Sequence, residues 1–430
     1  MLSTWLIIIK FFITFNYLII LISVKNLLVE RPIVTNILYY DFSTKFINNS
    51  SKGAPNQVKI TVDQNKLQKA LQHLSKATPT RSTIPILNSI LMVANNKTLT
   101  MRATDLEITI ITEISASIDA EGAVALPHKT LAEITGALPD VELKITADEN
   151  NRVKIRAGKG DYDIPGVSAE EFPQLPDVDN KKEVVLKDKT LGELITKTSF
   201  ALSTDELKPA LMGALFEFGE NSITAVATDG HRLSVCKRLD YEFKGYSGNI
   251  IVPRKFLQLL NQYLGVGENE EVVLWVGDSH ITVSVSGITI FSRIIDERYP
   301  DYQGVLPADN DKIASFDRIK LLSVVKRVAI FSNRATKQIA LHLSGDESFI
   351  TTEDPESSSS AREEIAADYG GENMVLGYNA TYLGNILNHI DSERVVLKLK
   401  SPISAGLILP GEQRENEEIT MLLMPMRTSS

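Results

Sequence analysis

The chain has 430 residues, 43% of them hydrophobic and 23% charged, with a formal net charge of −9. That composition excludes a disordered or low-complexity polymer, and the length exceeds what one compact core usually organises, so several domains are expected. The single cysteine, Cys236, excludes an intrachain disulfide and fits a reducing compartment.

Residues 1–57 read differently from the rest. Trp5 to Val24 is apolar apart from Lys10, Asn16 and a few hydroxyls, and is long enough to cross a bilayer as a helix. That supports an anchor or an uncleaved signal, and with it a membrane-anchored binding protein as the competing functional reading. The same segment is dominated by Ile, Leu, Phe, Tyr, Asn and Lys, the residue types that AT-rich noncoding DNA yields when translated. We expect the functional chain to begin at Val58 and the extension to be a start-site artefact, and set it aside in reasoning about the fold.

From Val58 onward the chain repeats itself. LNSILMVANNKTLTMRATD at 87–105 and LMGALFEFGENSITAVATD at 211–229 share an opening leucine, two apolar strands about a polar turn and a closing Ala-Thr-Asp, at a displacement of 124 residues. A weaker third copy, QIALHLSGDESFITTED, runs from 338 to 354, with the Ser-rich stretch 357–360 in place of the tight turn. Aromatic-proline segments, AEEFPQLP at 169–176 and RYPDYQGVLP at 298–307, recur on the same beat and cannot continue a helix or central strand. They divide the region into three units, 58–180, 181–308 and 309–430.

Each unit is predicted to hold two helices. The first has them at Asn65–Ala77 and after Pro127, the second at Lys189–Leu202 and after Pro253, the third near Phe316–Ser332 and Ala380–His389. Short alternating strands surround them, among them Val58–Val62, Val153–Ile155, Val272–Val276, His280–Val285 and Val395–Leu399. The fold class is α+β, repeated three times. In ATDGHRL at 227–233 an Asp-Gly pair, which tolerates positive φ, marks a tight turn between two strands. By themselves His231 and Arg232 are no more than the polar start of the return strand.

The extension contributes +3, which leaves about −12 on the repeat region, and so acidic a body is not expected to adhere to nucleic acid through its general surface. Yet Lys66, Lys69, His73 and Lys76 fall on one face of the first helix, away from Leu67, Ala70, Leu71 and Leu74. On the fifth, Lys320, Lys326 and Arg327 lie away from Leu321, Val325 and Val328. Two readings stand: solvated outer faces, or helices that present cations to a phosphate backbone without reading sequence. The six histidines show no ligand spacing, and no phosphate-binding loop, nucleophile elbow or HExxH motif occurs, so neither an enzyme, a metal nor a cofactor is implied.

ATDGHRL at 227–233, IVPRK at 251–255, RYPDYQGVLP at 298–307 and MPMR at 424–427, in that order on a threefold repeat, resemble the bacterial DNA polymerase III β subunits, the sliding clamps. The likeness extends over 58–430, with KITVD at the start and TRSTIPIL at 80–87, and has no counterpart for 1–57. It implies three clamp domains per chain, each of two helices packed on antiparallel sheets. Two chains would join head to tail into a six-domain ring, helices lining the hole, around double-stranded DNA of any sequence. It further implies a hydrophobic cleft for a short peptide motif carried by the polymerase III catalytic subunit, the clamp loader, other polymerases and repair proteins. Carried over by position, the cleft is Leu211, Thr228, Gly230, His231, Arg232, Leu233, Pro300, Val305, Leu423, Met424, Pro425, Met426 and Arg427. The DNA contacts would be Arg81, Lys208, Arg254 and Lys255, and the dimer interface Tyr162, Leu321 and Leu322. The loop STDELKPA at 203–210 departs from the family, with Pro209 and Ala210 where some members carry two tyrosines. A cytoplasmic, nucleoid-associated protein would follow. The LLMPM run reads as a buried last strand from pattern alone, and as a partly exposed one under the resemblance.

Overall fold

The computed structural model describes residues 57–175, 181–241, 245–265 and 271–427; the anchor and start-site expectations for 1–56 lie outside them. Among the described residues, no helix is long and apolar enough to cross a membrane. The chain forms two compact units, one of residues up to Leu106 with Ile111–Asp177, the other of Glu107–Ile110 with Val178 onward.

In the first unit, strand Val58–Asp63 runs directly into helix α1, Gln64–Leu74. Asp63 makes the junction: its carboxylate accepts the Lys66 N–H at 2.9 Å and satisfies one of the orphan donors of the first turn. The 3.6-residue stripe then buries Leu67, Ala70, Leu71 and Leu74, which leaves Lys66, Lys69 and Lys76 in solvent, as expected. Helix α2, His128–Ala137, begins after Pro127 and packs against α1. Two polar ties fix the pair: His128 Nε2 lies 3.0 Å from the Leu71 carbonyl oxygen, and Gln64 Nε2 donates to the Thr135 carbonyl at 2.5 Å. The five-stranded antiparallel sheet of this unit runs Ser117–Ala120, Val58–Asp63, Glu142–Ala147, Arg152–Ala157, Gly160–Pro165. Its last strand, which carries Tyr162, is an open edge.

The second unit holds two further helix pairs: α3 (Asp188–Ser199) with α4 (Arg254–Leu260), and α5 (Arg318–Val328) with α6 (Ala380–Asn388). Helices α5 and α6 start on the side chains of Asp317 and Asn379, as α1 starts on Asp63. A nine-stranded antiparallel sheet crosses the unit, and its centre is the pairing of Arg232–Arg238 with the terminal strand Glu417–Leu423, in register Arg232 opposite Leu423 and Leu233 opposite Leu422. Main-chain hydrogen bonds therefore join the second repeat to the third. A four-stranded sheet, ordered Ser359–Glu364, Phe349–Asp354, Gln338–Leu343, Met374–Asn379, ends in a second open edge at Ser359–Glu364.

The repeat inferred from sequence is a repeat of register. Leu91 stands opposite Arg102 and Leu215 opposite Val226, each pair displaced by the 124 residues that separate the motifs. Each hairpin is preceded by a 3-10 turn with proline in its first position, Pro85–Asn88 and Pro209–Met212. In the third copy the Ser-rich stretch stands where the tight turn does in the second, closing the hairpin between Phe349–Asp354 and Ser359–Glu364, with the Ser357 hydroxyl donating to Asp354 at 2.6 Å. The helix expected near Phe316–Ser332 breaks at Val328, beyond which Ala329–Phe331 is a 3-10 turn.

Candidate functional site

The ATDGHRL segment builds its turn on one carboxylate. Strand Ile223–Thr228 ends at Thr228 and Arg232–Arg238 begins four residues on, so the Asp-Gly pair lies in the short loop between two strands, as expected. Asp229 Oδ1 accepts the N–H groups of His231 and Arg232 at 2.9 and 3.0 Å, and Oδ2 accepts Arg232 Nε at 3.0 Å. Gly230 takes φ +89°, a left-handed conformation that glycine adopts without the Cβ clash of other residues. Thr228 closes the loop, its hydroxyl donating to the Arg232 carbonyl at 2.6 Å.

The loop exposes His231 and buries Arg232. The Arg232 guanidinium lies 4.5 Å from the ring centroid of Tyr382 and 5.4 Å from that of Phe200, a geometry that favours a cation on an aromatic face. The ring of His231 stacks on the same Tyr382, centroids 6.1 Å apart and 19° from parallel. Arg232 Nη1 is buried without a hydrogen-bond partner.

The tail meets the turn directly. Met424 N–H donates to the His231 carbonyl at 2.9 Å, Met426 N–H donates to the Gly377 carbonyl at 2.8 Å, and Gln338 Nε2 donates to the Arg427 carbonyl at 3.0 Å. Leu422 and Leu423 are buried as the end of the strand, whereas Met424 is 43% exposed and Pro425 and Met426 half-buried. Both expectations for the LLMPM run thus hold in part, divided at Met424. Beneath lies an apolar cluster of Leu215, Val226, Leu233, Ile251, Tyr302 and Leu422, against which Ala210, Tyr299 and Leu306 pack. Leu211 is buried beside the loop at 203–210, while Pro300 and Val305 are exposed.

An ionic chain also joins the second and third repeats, at the Arg238–Glu417 end of the same strand pair. Arg238 reaches Glu193 at 2.8 Å, Asp240 at 3.1 Å and the buried Glu417 at 3.5 Å; Arg414 reaches Glu193 at 3.3 Å and Asp391 at 2.9 Å; Lys197, itself buried, pairs with Asp391. Burial pushes the Asp391 carboxyl upward, but Lys197, Arg414 and Arg318 together hold it below its ordinary value. A cavity of about 920 Å³ borders Pro300 and shares Leu215, Ile251 and Tyr302 with the apolar cluster, yet neither the ATDGHRL turn nor the tail lines it. Side chains and backbone converge instead at the turn and tail, which form the candidate groove.

The other expected residues are not all disposed as the resemblance implied. Arg81 and Lys208 are exposed, Lys208 with Asp205 at 3.7 Å. Lys255 is exposed on α4, but Arg254 turns one guanidinium nitrogen inward to the backbone carbonyls of Leu202 and Ser203. On α5, Arg327 is paired with Glu363 through two nitrogens and Lys320 lies 3.8 Å from Asp317, so that face is less cationic than its sequence reads. Leu321 and Leu322 require correction: at 0% and 7% exposure they belong to their own repeat's core and offer no surface to a second chain. The exposed apolar pair nearby is Ile330 and Phe331, 76% and 43% exposed, on the 3-10 turn beside the open strand Ser359–Glu364. Sequence reading also missed Phe200 and Tyr382, which flank Arg232 in space but stand 32 and 150 residues from it in the chain.

A threefold α+β repeat, its second and third copies joined by strand pairing over a shared apolar cluster, defines the class as a protein of three repeated domains. Comparison identifies which. The three descriptions of the DNA polymerase III beta subunit match in succession, the N-terminal domain over residues 58–176, the central domain over 185–301 and the C-terminal domain over 303–427. The beta sliding clamp of Pseudomonas putida is 31% identical over 370 residues, covering 86% of this chain and 99% of its own, and that of Caulobacter vibrioides 32% identical over 381 residues, covering 86% and 100%. Among solved structures, the Pseudomonas aeruginosa DNA polymerase sliding clamp superposes with a TM-score of 0.80 at 30% identity, covering 86% of this chain and 100% of its own. The chain belongs to the DNA polymerase III beta subunit family, the bacterial beta sliding clamps, and is a non-catalytic processivity subunit in DNA replication.

Proposed function

We propose that the groove between the ATDGHRL turn and the tail receives a short linear peptide of the polymerase III catalytic subunit, the clamp loader, and other polymerases and repair proteins, which compete for it. The observation that carries the reading is the bond from Met424 N–H to the His231 carbonyl, which sets an exposed thioether and an exposed imidazole over a floor of buried leucines. An unbranched, polarisable side chain on an apolar floor suits a site that must repack around several sequences. The P. aeruginosa clamp has been solved bound to griselimycin, and we infer that this chain takes the same compound in this groove. Griselimycin that fails to displace a labelled polymerase peptide would count against that placement.

We assign the clamp domains to residues 58–180, 181–308 and 309–430, and infer a cytosolic, nucleoid-associated protein. Two chains would close head to tail through two open edges, Gly160–Pro165 with Tyr162 and Ser359–Glu364 flanked by Ile330 and Phe331. An unpaired strand edge beside exposed apolar side chains is a template for pairing with another chain. Inside such a ring, Lys66, Lys69 and Lys76 with Arg81, Lys208 and Lys255 supply sequence-blind, salt-sensitive attraction to phosphate while topology supplies retention. The test is to load the chain onto nicked circular plasmid with its cognate loader, cut the circle and follow bound protein by gel filtration. Loss on linearisation is expected; retention on the linear product would replace the ring with a local grip.

A further inference from the structure

The loop at 203–210 lies beside the candidate groove, and one side chain from elsewhere in the fold pins its base. Ser203 N–H donates to the Leu211 carbonyl at 2.9 Å and closes the loop, with Leu202, Ser203 and Leu211 all buried. Residues 204–209 between them are exposed and held by local bonds: Asp205 N–H to the Ser203 hydroxyl at 3.0 Å, Leu207 N–H to Asp205 Oδ1 at 3.0 Å and Lys208 N–H to the Asp205 carbonyl at 3.1 Å. Arg254 reaches this base from α4, its Nη2 donating to the Leu202 carbonyl at 2.9 Å and also to the Ser203 carbonyl.

The position is electrostatically adverse for a cation. Arg254 is the first residue of α4, where the helix dipole disfavours positive charge, and burial together with the nearby Arg232 pulls its pKa down. What compensates is the pair of carbonyls, which a guanidinium nitrogen can serve with both protons. The bond therefore ties α4 to the backbone that sets Leu211 and Ala210, and Ala210 packs on the apolar cluster under the groove.

We propose that Arg254 is a positioning residue for the peptide groove, acting through the Leu202 and Ser203 carbonyls on the Leu211 wall; the proposal rests on the groove reading above. Arg254→Lys separates this role from a phosphate contact. Lysine keeps the charge that DNA would feel, but its compact ammonium lacks the fork that reaches both carbonyls. Wild type, Arg254→Lys and Arg254→Gln full-length chains are compared in three measurements: griselimycin affinity by calorimetry, hydrogen exchange of the Ser203 amide, and retention on closed circular plasmid as salt rises.

Both variants are expected to lose about tenfold in griselimycin affinity, the factor carried by ~1.4 kcal/mol, and to exchange the Ser203 amide faster. Arg254→Lys should hold plasmid as wild type does. The proposal is overturned if Arg254→Lys matches wild type in affinity and Ser203 exchange while Arg254→Gln sheds plasmid at lower salt, since that pattern is a phosphate contact alone. A wild-type chain that ignores griselimycin would instead sink the placement of that compound in the groove, and Ser203 exchange in the two variants would still decide whether Arg254 positions the loop.

Discussion

Replacing Asp229 by asparagine tests whether one carboxylate organises the candidate groove. Both Asp229 oxygens are acceptors, Oδ1 for two backbone N–H groups and Oδ2 for Arg232 Nε, and the side chain is 12% exposed. Asparagine keeps the shape but has one acceptor oxygen, so its NH2 must face either the two amides or the guanidinium, donor against donor. Breaking a buried pair costs about 3–5 kcal/mol when the surviving charge is left without compensation. Here Arg232 keeps the faces of Tyr382 and Phe200, at 4.5 and 5.4 Å, each worth on the order of 1 kcal/mol. The expected loss is therefore about 2 kcal/mol, in the range of a charge-assisted hydrogen bond. For a unit of this size, that corresponds to a melting transition lowered by roughly 4–8 °C. Scanning calorimetry reads the transition, and hydrogen exchange at the His231 and Arg232 amides reads the loop. A variant that melts within about 1 °C of wild type, with both amides still protected, would falsify the idea that Asp229 holds the turn, because neither donor clash nor lost charge could then be present at about 2 kcal/mol.

Further outcomes follow from the same geometry. Deleting residues 424–430 removes the bonds from Met424 to His231 and from Met426 to Gly377; polymerase-peptide binding should weaken by a few kcal/mol, the scale of interface hot spots, while sedimentation still shows a dimer, and unchanged affinity would remove the tail from the site. Ile330→Asp places a charge on an apolar side chain that is 76% exposed, and should shift sedimentation toward monomer without lowering the melting transition, whereas Leu322→Asp should unfold its repeat. The Cys236 thiol is wholly buried and pushed up to about 12, by burial first and then by Glu417. The folded state thus favours the neutral thiol, a contribution fully present below the unfolded thiol's pKa and lost as pH rises through about 12. At pH 8 a thiol reagent should label it only after denaturation, and rapid labelling of the native chain would contradict the packing around it.

How much of this was legible in the sequence varied with the range of the interaction concerned. The α1 stripe and the 124-residue repeat are local or periodic, so they could be read from residue spacing before any contact was known, whereas the caps at Asp63 and Asp317 were seen only in the structure. The motifs ATDGHRL and MPMR pointed to one site for the same reason. Ile330 and Phe331 were passed over because the helical period that places Leu321 and Val328 inward was continued past Val328, where the backbone tightens to a 3-10 turn and rotates the following side chains outward. Arg254 reads from sequence as one more cation beside Lys255, and nothing in IVPRK tells that its guanidinium turns to the carbonyls of Leu202 and Ser203.

By itself, then, the sequence determined the three repeats, their helix pairs, the segregation of lysines on α1 and the identity of the turn and tail, because hydrophobic period and turn residues act over a few positions. Only the tertiary structure decided that Arg232–Arg238 pairs with Glu417–Leu423, that Phe200 and Tyr382 enclose Arg232, and that Ile330 and Phe331 face outward. Those outcomes depend on which distant backbone completes a strand edge and which rings are at hand to cover a guanidinium. Both are set by packing between residues that have no fixed separation along the chain.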